Sequence, residues 1–186
     1  MKAKRIAVFT STRADYGLLR PLMAEILACP NMLLQTIVTG THLSRLHDET
    51  WREIVTDGFK IDVRIDMQLS DDDSVGVAAS SSIVLSETAK ALNLLSSDIL
   101  VLLGDRYELL SAAQAGLLTR VPIVHIHGGE ATEGAIDESI RHAVSKLAHL
   151  HFPVNEVYAK RIVQMGEMRE RVHVVGALSM DNISKL

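Results

Sequence analysis

The chain has 186 residues, 47% of them hydrophobic and 23% charged, a globular composition long enough for one domain with a real core. A net charge of −4 argues against a general polyanion binder such as a DNA-binding domain, which would be basic. The single cysteine, Cys29, excludes an internal disulfide and fits a reducing compartment. The longest apolar run, Ile99 to Leu103, is far too short to cross a bilayer, and the N-terminus lacks a cleavable signal pattern. A soluble, cytoplasmic protein is expected.

Along the chain, short apolar runs alternate with stretches of helical period. Ile6 to Phe9 predicts a first strand. Leu18, Leu19, Leu22, Met23, Ile26 and Leu27 then share one helical face, and Pro21 places the start of that helix near Tyr16 to Leu18, because only a first-turn residue can lack its amide. Leu33 to Thr39 reads as a second strand, His47 to Thr56 as a short helix stopping near Gly58, and Ile61 to Ile65 as a weak third strand. Gln68 to Ser74 is polar and acidic, hence a loop. Ser74 to Leu95 predicts a long helix burying Val77, Val84, Ala91, Leu92 and Leu95. Asp98 to Leu103 is the clearest strand, continuously apolar as a strand covered on both faces should be. Helix 107–119, strand 122–126, helix 136–147, strand 149–153, helix 155–166 and strand 171–175 follow, and 181–186 reads as the start of another helix. This alternation implies right-handed βαβ units: a Rossmann-like α/β fold with a mainly parallel sheet and helices on both faces. The glycine turn at Val175-Gly176 marks an expected boundary, with a domain over 1–176 and the beginning of an interdomain connection over 177–186.

In an open parallel sheet, ligands bind beyond the carboxyl ends of the strands. Four clusters should share that rim: Thr10 to Gly17, Gly40-Thr41-His42, Gly104 to Glu108, and His125 to Glu130. The first lacks G-x-G-x-x-G, and no P-loop pattern occurs, which disfavours a dinucleotide or P-loop site. Ser11, Thr12 and Arg13 ahead of a helix could hold an anion or could simply cap the helix. Asp105 and Arg106 directly after a buried strand could serve a substrate, or a cap and an ion pair. The richest stretch is 125–142. His125 and His127 share a face if the strand persists, Gly128-Gly129 lets backbone approach a ligand, and Glu130 follows. Asp137 can pair with Arg141 and Glu138 with His142 across one helical turn. His-x-His with carboxylates could bind zinc. An acid–base reading uses the same residues without a metal, and no metal is expected. His149 and His151 read as core histidines.

Thr12 to Gly17, Val38 to Leu43, Gly104 to Glu108, His125 to Glu130 and Ile136 to His142 together resemble the hydrolysing UDP-N-acetylglucosamine 2-epimerases of sialic and legionaminic acid synthesis. The resemblance runs over essentially the whole chain and implies the N-terminal half of a two-domain GT-B fold. It implies conversion of a UDP-linked 2-acetamido sugar and water to the 2-epimeric free sugar and UDP, through C2 proton abstraction, loss of UDP and addition of water, with no cofactor. UDP-N-acetylglucosamine is the first substrate implied, and a UDP-2,4-diacetamido sugar the alternative. By resemblance, Asp105, His127, Asp137 and Glu138 are the catalytic candidates; Arg13, Arg106, His42, Glu130, Arg141 and His142 are the substrate-binding ones. Many relatives carry glutamate where this chain has His127, and some carry a UDP-contacting serine where it has Gly17. The family's second domain supplies the uracil site and a further histidine, so these 186 residues alone are expected to turn over little. A homodimer is implied, with helix 74–95 as an interface candidate; no nucleic acid or membrane partner is expected. A glycosyltransferase of the same architecture and a non-catalytic nucleotide-sugar sensor are the rival readings.

Overall fold

The computed structural model describes residues 3–68, 73–132 and 136–180. The expected loop is therefore described only at its ends, and the expected last helix at 181–186 lies outside the described residues. In chain order the elements are β1 (Lys4–Thr10), α1 (Arg13–Ala28), β2 (Met32–Val38), α2 (Trp51–Thr56), β3 (Val63–Arg64), α3 (Ser74–Leu95), β4 (Ile99–Leu103), α4 (Tyr107–Leu118), β5 (Ile123–Ile126), α5 (Ile136–Leu147), β6 (Leu150–Phe152) and α6 (Glu156–Gln164). The six strands form one parallel sheet in the order β3-β2-β1-β4-β5-β6. The order reverses between β1 and β4, so the crevice that such a sheet offers to a ligand opens at the carboxyl ends of those two strands.

Alternation along each strand explains the continuous apolar runs. Ala7, Phe9, Leu100, Leu102 and Ile123 face α3, α4 and α5 through Val84, Leu92, Leu109, Ala112 and Val144. Ile6, Val8, Val38, Val101 and Val124 point the other way, into a core shared with Tyr16, Leu19, Met23 and Ile26 of α1 and Ile54 of α2. Each fully buried valine, leucine, isoleucine, phenylalanine or methionine among them contributes about 1.5–3 kcal/mol. No helix among the described residues is long and apolar enough to cross a membrane.

Several expectations are corrected. The helix expected over 47–56 forms only over Trp51–Thr56, after a 3-10 turn at Arg45–His47 that ends on left-handed Asp48. Helix α1 begins at Arg13, not near Tyr16, so Pro21 lies well inside its sixteen residues. The start is set by a reciprocal cap, in which Thr12 accepts from the Asp15 amide while the Asp15 carboxylate accepts from the Thr12 amide, and burial of Tyr16, Leu19, Met23 and Ile26 on either side of Pro21 offsets the proline. Leu27, expected on the buried face, is 60% exposed. The expected strand 171–175 does not form. Arg169–Arg171 is a single 3-10 turn, and Val172 makes an isolated parallel bridge to His151 of β6. The segment nonetheless runs beside β6 and bonds to it, the His173 amide donating to the His151 carbonyl at 2.9 Å and the Val175 amide to the Pro153 carbonyl at 3.2 Å, but β6 is only three residues long and no regular strand is built on it. In α3, Val84, Ala91 and Leu92 are buried as expected, together with Ser80 and Thr88, while Val77 and Leu95 are only partly covered.

Candidate active site at the β1–β4–β5 rim

The first loop turns inward on itself. The Asp15 carboxylate accepts from the Ser11 amide (2.9 Å), the Ser11 hydroxyl (2.8 Å), the Thr12 amide and the Thr10 hydroxyl. Thr10, having given its proton to Asp15, accepts from His42 Nε2 at 3.0 Å, and His42 Nδ1 meets Thr50 Oγ1 at 2.7 Å. Burial pushes the Asp15 carboxyl up, but the bonds from His42, Thr10 and Ser11 together outweigh it and hold it below the usual range. The amides of Ser11 and Thr12 that could have cradled an external anion thus hold an internal carboxylate. His42, fully buried, braces this loop from below and does not line the rim.

Across the switch point a polar hollow of about 270 Å³ opens, lined by Thr12, Ala14, Asp15 and Leu18 on the β1 side and by Asp105, Arg106, His127, Glu130 and Arg141 on the other. Gly104 leaves β4 with φ +93°, a left-handed turn that aims Asp105 and Arg106 across the strand ends. Arg141, 7% exposed, reaches from α5 to Asp105 through Nη2 and to Glu130 through Nη1 at 3.2 Å. It does not take the expected partner one turn back, Asp137. Arg106 Nε donates to Glu108 at 2.6 Å; burial lowers the guanidinium pKa, and the adjacent Glu108 charge more than restores it.

The strand does not persist to His127. β5 ends at Ile126 and His127 adopts φ +62°, so the two histidines part. His125 lies fully buried under the rim, and His127 turns into the hollow. Burial lowers the His127 pKa, Glu130 and Asp105 pull it up, and Arg141 pushes it down; the net is a depressed value, hence a neutral ring near pH 7. Its Nδ1 stands 3.6 Å from Glu130, and its Nε2 is buried without a partner. The Arg141 Nε and Glu108 Oε2 atoms are likewise buried and unpartnered. Gly128 and Gly129 serve the protein's own packing rather than a ligand. A Cβ at Gly128 would meet Ser145 Oγ at 2.8 Å, and one at Gly129 the Tyr158 carbonyl at 2.5 Å.

Of the ten residues singled out in the sequence, Asp105, Arg106, His127, Glu130 and Arg141 line one hollow. Arg13 stands outside it, its side chain 73% exposed and paired with Glu53 at 3.0 Å. Asp137, Glu138 and His142 sit in the first two turns of α5 beyond the lining, with His142 3.6 Å from Glu138, the expected partner. Asp15 and Glu108 are the residues that sequence reasoning passed over as site builders. Their signal was their motifs, Thr12-x-x-Asp15 as a capping box and a carboxylate two residues after Arg106. Among the described residues no group of three or more histidine, cysteine or acidic side chains is placed to hold a metal ion. A larger hollow of about 380 Å³ lies against Ile6, Val101, Val124 and Phe152; its lining is wholly apolar, so it offers no acid, base or anion-binding group.

A parallel sheet of this strand order, with guanidinium, carboxylate and imidazole groups gathered at its switch point, defines a Rossmann-like domain with a charged crevice at the rim where such sheets take ligands. The chain belongs to the UDP-N-acetylglucosamine 2-epimerase family, whose model matches residues 24–186. It is 43% identical over its whole length to the GDP/UDP-N,N'-diacetylbacillosamine 2-epimerase (hydrolyzing) of Campylobacter jejuni, covering 48% of that protein. It is 35% identical to a UDP-N-acetylglucosamine 2-epimerase of Neisseria meningitidis over 96% of this chain and 46% of that one. The fold matches the crystal structure of the Neisseria meningitidis UDP-GlcNAc 2-epimerase bound to UDP-GlcNAc, with a TM-score of 0.81 at 19% identity over 97% of this chain and 50% of that one. The chain thus spans about half the length of the relatives it matches.

Proposed function

We propose that this chain is the N-terminal half of a hydrolysing 2-epimerase that converts a UDP-linked 2-acetamido sugar and water to the 2-epimeric free sugar and UDP. The domain would run over 1–176, with 177–186 leading towards a second half. The observation that carries the reading is the meeting of Asp105, Arg106, His127, Glu130 and Arg141 in one open hollow at the sheet's switch point. The proton at sugar C2 is weakly acidic, so a base must be near neutral pKa and in contact. His127, neutral and with an unpartnered Nε2, meets the first requirement; Asp105, held by Arg141, is the second group in the hollow able to take or return a proton. As the C2 proton leaves, the C1–O bond breaks and its electron pair departs with UDP, leaving a glycal. Water then adds its oxygen to C1, and a proton returns to the opposite face of C2. Arg106 is placed to meet the leaving diphosphate. Arg13, exposed and held only by a surface ion pair, can swing to it. Asp137, Glu138 and His142 retain the roles the resemblance implies, without lining the hollow in this structure, while His42, buried with both ring nitrogens bonded, serves the site only by bracing the first loop. No cofactor enters the scheme. The protein is taken to work in the cytoplasm as a homodimer, with the exposed Val75 and Leu94 of α3 at the contact; light scattering would read that state directly.

The substrate is UDP-N-acetylglucosamine or its 2,4-diacetamido counterpart. The greater identity to the diacetylbacillosamine enzyme, 43% against 35%, favours the second. Incubating the full-length protein with each UDP-sugar in deuterium oxide tests both. UDP release with one deuterium at C2 of the freed sugar is expected, and release without C2 exchange, or transfer to an added acceptor, would refute the mechanism. Residues 1–186 alone should release UDP only near background, since the relatives' remaining half is taken to hold the uracil.

A further inference from the structure

Beneath the rim, a second connection runs alongside the Arg141–Asp105 pair. His125 Nε2 lies 2.8 Å from the Gly104 carbonyl, and His125 Nδ1 lies 3.0 Å from Ser145 Oγ. A carbonyl can only accept, so Nε2 carries the ring proton. Burial drives the His125 pKa down to about 4, so the ring is neutral and Nδ1 is a bare acceptor; the Ser145 hydroxyl therefore donates to it. Ser145 stands one helical turn after Arg141 on α5, and Gly104 directly precedes Asp105, so the two connections join the same pair of elements at adjacent points. Gly104 needs such a tether. It sits at φ +93°, its amide donating to the Ile126 carbonyl at 3.1 Å, and the carbonyl of the peptide that carries Asp105 is fixed by the bond from His125. The strut itself is tightly housed, since a Cβ at Gly128 would reach His125 Nδ1 at 2.9 Å. His125 and Ser145 are fully buried, and neither lines the hollow.

We infer that His125 is a positioning residue, which by tying the Gly104 carbonyl to Ser145 of α5 sets the Asp105 carboxylate in register with Arg141 and His127. The inference rests on the acid–base role proposed for that hollow. Glutamine can place an amide donor where His125 Nε2 now stands, whereas asparagine is too short to reach the Gly104 carbonyl.

The test uses the full-length protein with His125→Asn and His125→Gln, read by kinetics and by ¹⁵N spectra of the Arg141 guanidinium. His125→Asn should lower kcat about 10–100-fold, the scale of a small misplacement of a reacting group, with KM changed less than about threefold. It should also shift or broaden the Arg141 signal. His125→Gln should recover most of the lost kcat and restore the signal. Equal losses in the two variants, losses matched by KM and melting temperature alone, or an unmoved Arg141 signal would overturn the inference. Should His125→Asn not fold, Ser145→Ala removes one hydroxyl and should cut kcat about 3–10-fold with the same spectral change; no change in either readout would again overturn it. If the wild type releases no UDP from any UDP-amino sugar, the proposed function falls, while the Arg141 spectrum still decides whether the strut holds that side chain.

Discussion

The two sides of the switch point use the same residue types to opposite ends. On the β1 side, Asp15 gathers the hydroxyls of Thr10 and Ser11 and the amides of Ser11 and Thr12, so the loop is complete without a ligand. On the β4–β5 side, Arg141, His127 and Glu108 each keep a buried polar atom without a partner. Buried polar groups are nearly always satisfied, and each exception asks for an explanation. The contrast teaches that charge near a strand end does not by itself mark a site; charge beside an open hollow with its polar atoms still unpartnered is the better guide. By that measure the first loop is a brace and the far side is the part of the rim left open to a ligand.

Substitutions on the two sides should therefore fail differently. The largest effect is expected at His127: His127→Phe should lower kcat of the full-length protein by about 100–10,000-fold, the range for a lost general base, with a melting temperature near wild type. A variant within fivefold of wild type would move the chemistry elsewhere. Arg141→Met strands Asp105 and Glu130 together and should cost about 3 kcal/mol in urea unfolding as well as turnover, the scale of breaking a buried pair from one side. Acid should act mainly through the far side. The depressed pKa values of His125, His127 and His151 mean that the unfolded chain binds protons the folded one refuses. Their stabilisation is whole above the unfolded value near 6.5 and is lost as pH falls below it; for His125 the loss runs down to about 4 and amounts to about 3 kcal/mol. Denaturant midpoints from pH 7 to 4.5 would trace the loss, and His125→Gln should flatten it. On the β1 side, Asp15→Ala orphans the loop's donors and should cost about 2 kcal/mol of stability while the folded fraction keeps most of its kcat. The smallest effect on stability belongs to Arg13→Ala, within about 0.5 kcal/mol because its pair is exposed. A several-fold rise in KM there would mark it as a diphosphate contact made only in the complex.

Local pattern alone determined much of this protein. Continuous apolar runs such as Ile99–Leu103 and the helical period over 136–147 predicted elements that the fold contains, because a strand covered on both faces and an amphipathic helix write their burial directly into residue order. Four of the site's residues, Asp105, Arg106, His127 and Glu130, were legible for a related reason: in a parallel sheet, whatever follows a strand arrives at the ligand rim. What only the tertiary structure decided was orientation and partnership. Whether Asp15 would hold a loop, whether His125 and His127 would share a face or separate at a left-handed residue, and whether Arg141 would pair along its own helix or across to Asp105 are set by groups that lie far apart in the chain. The segment 171–175 belongs with them: its His173 and Val175 amides bond to β6 and Pro153, yet it stops short of a regular strand, because how far a ladder extends depends on the neighbour it meets.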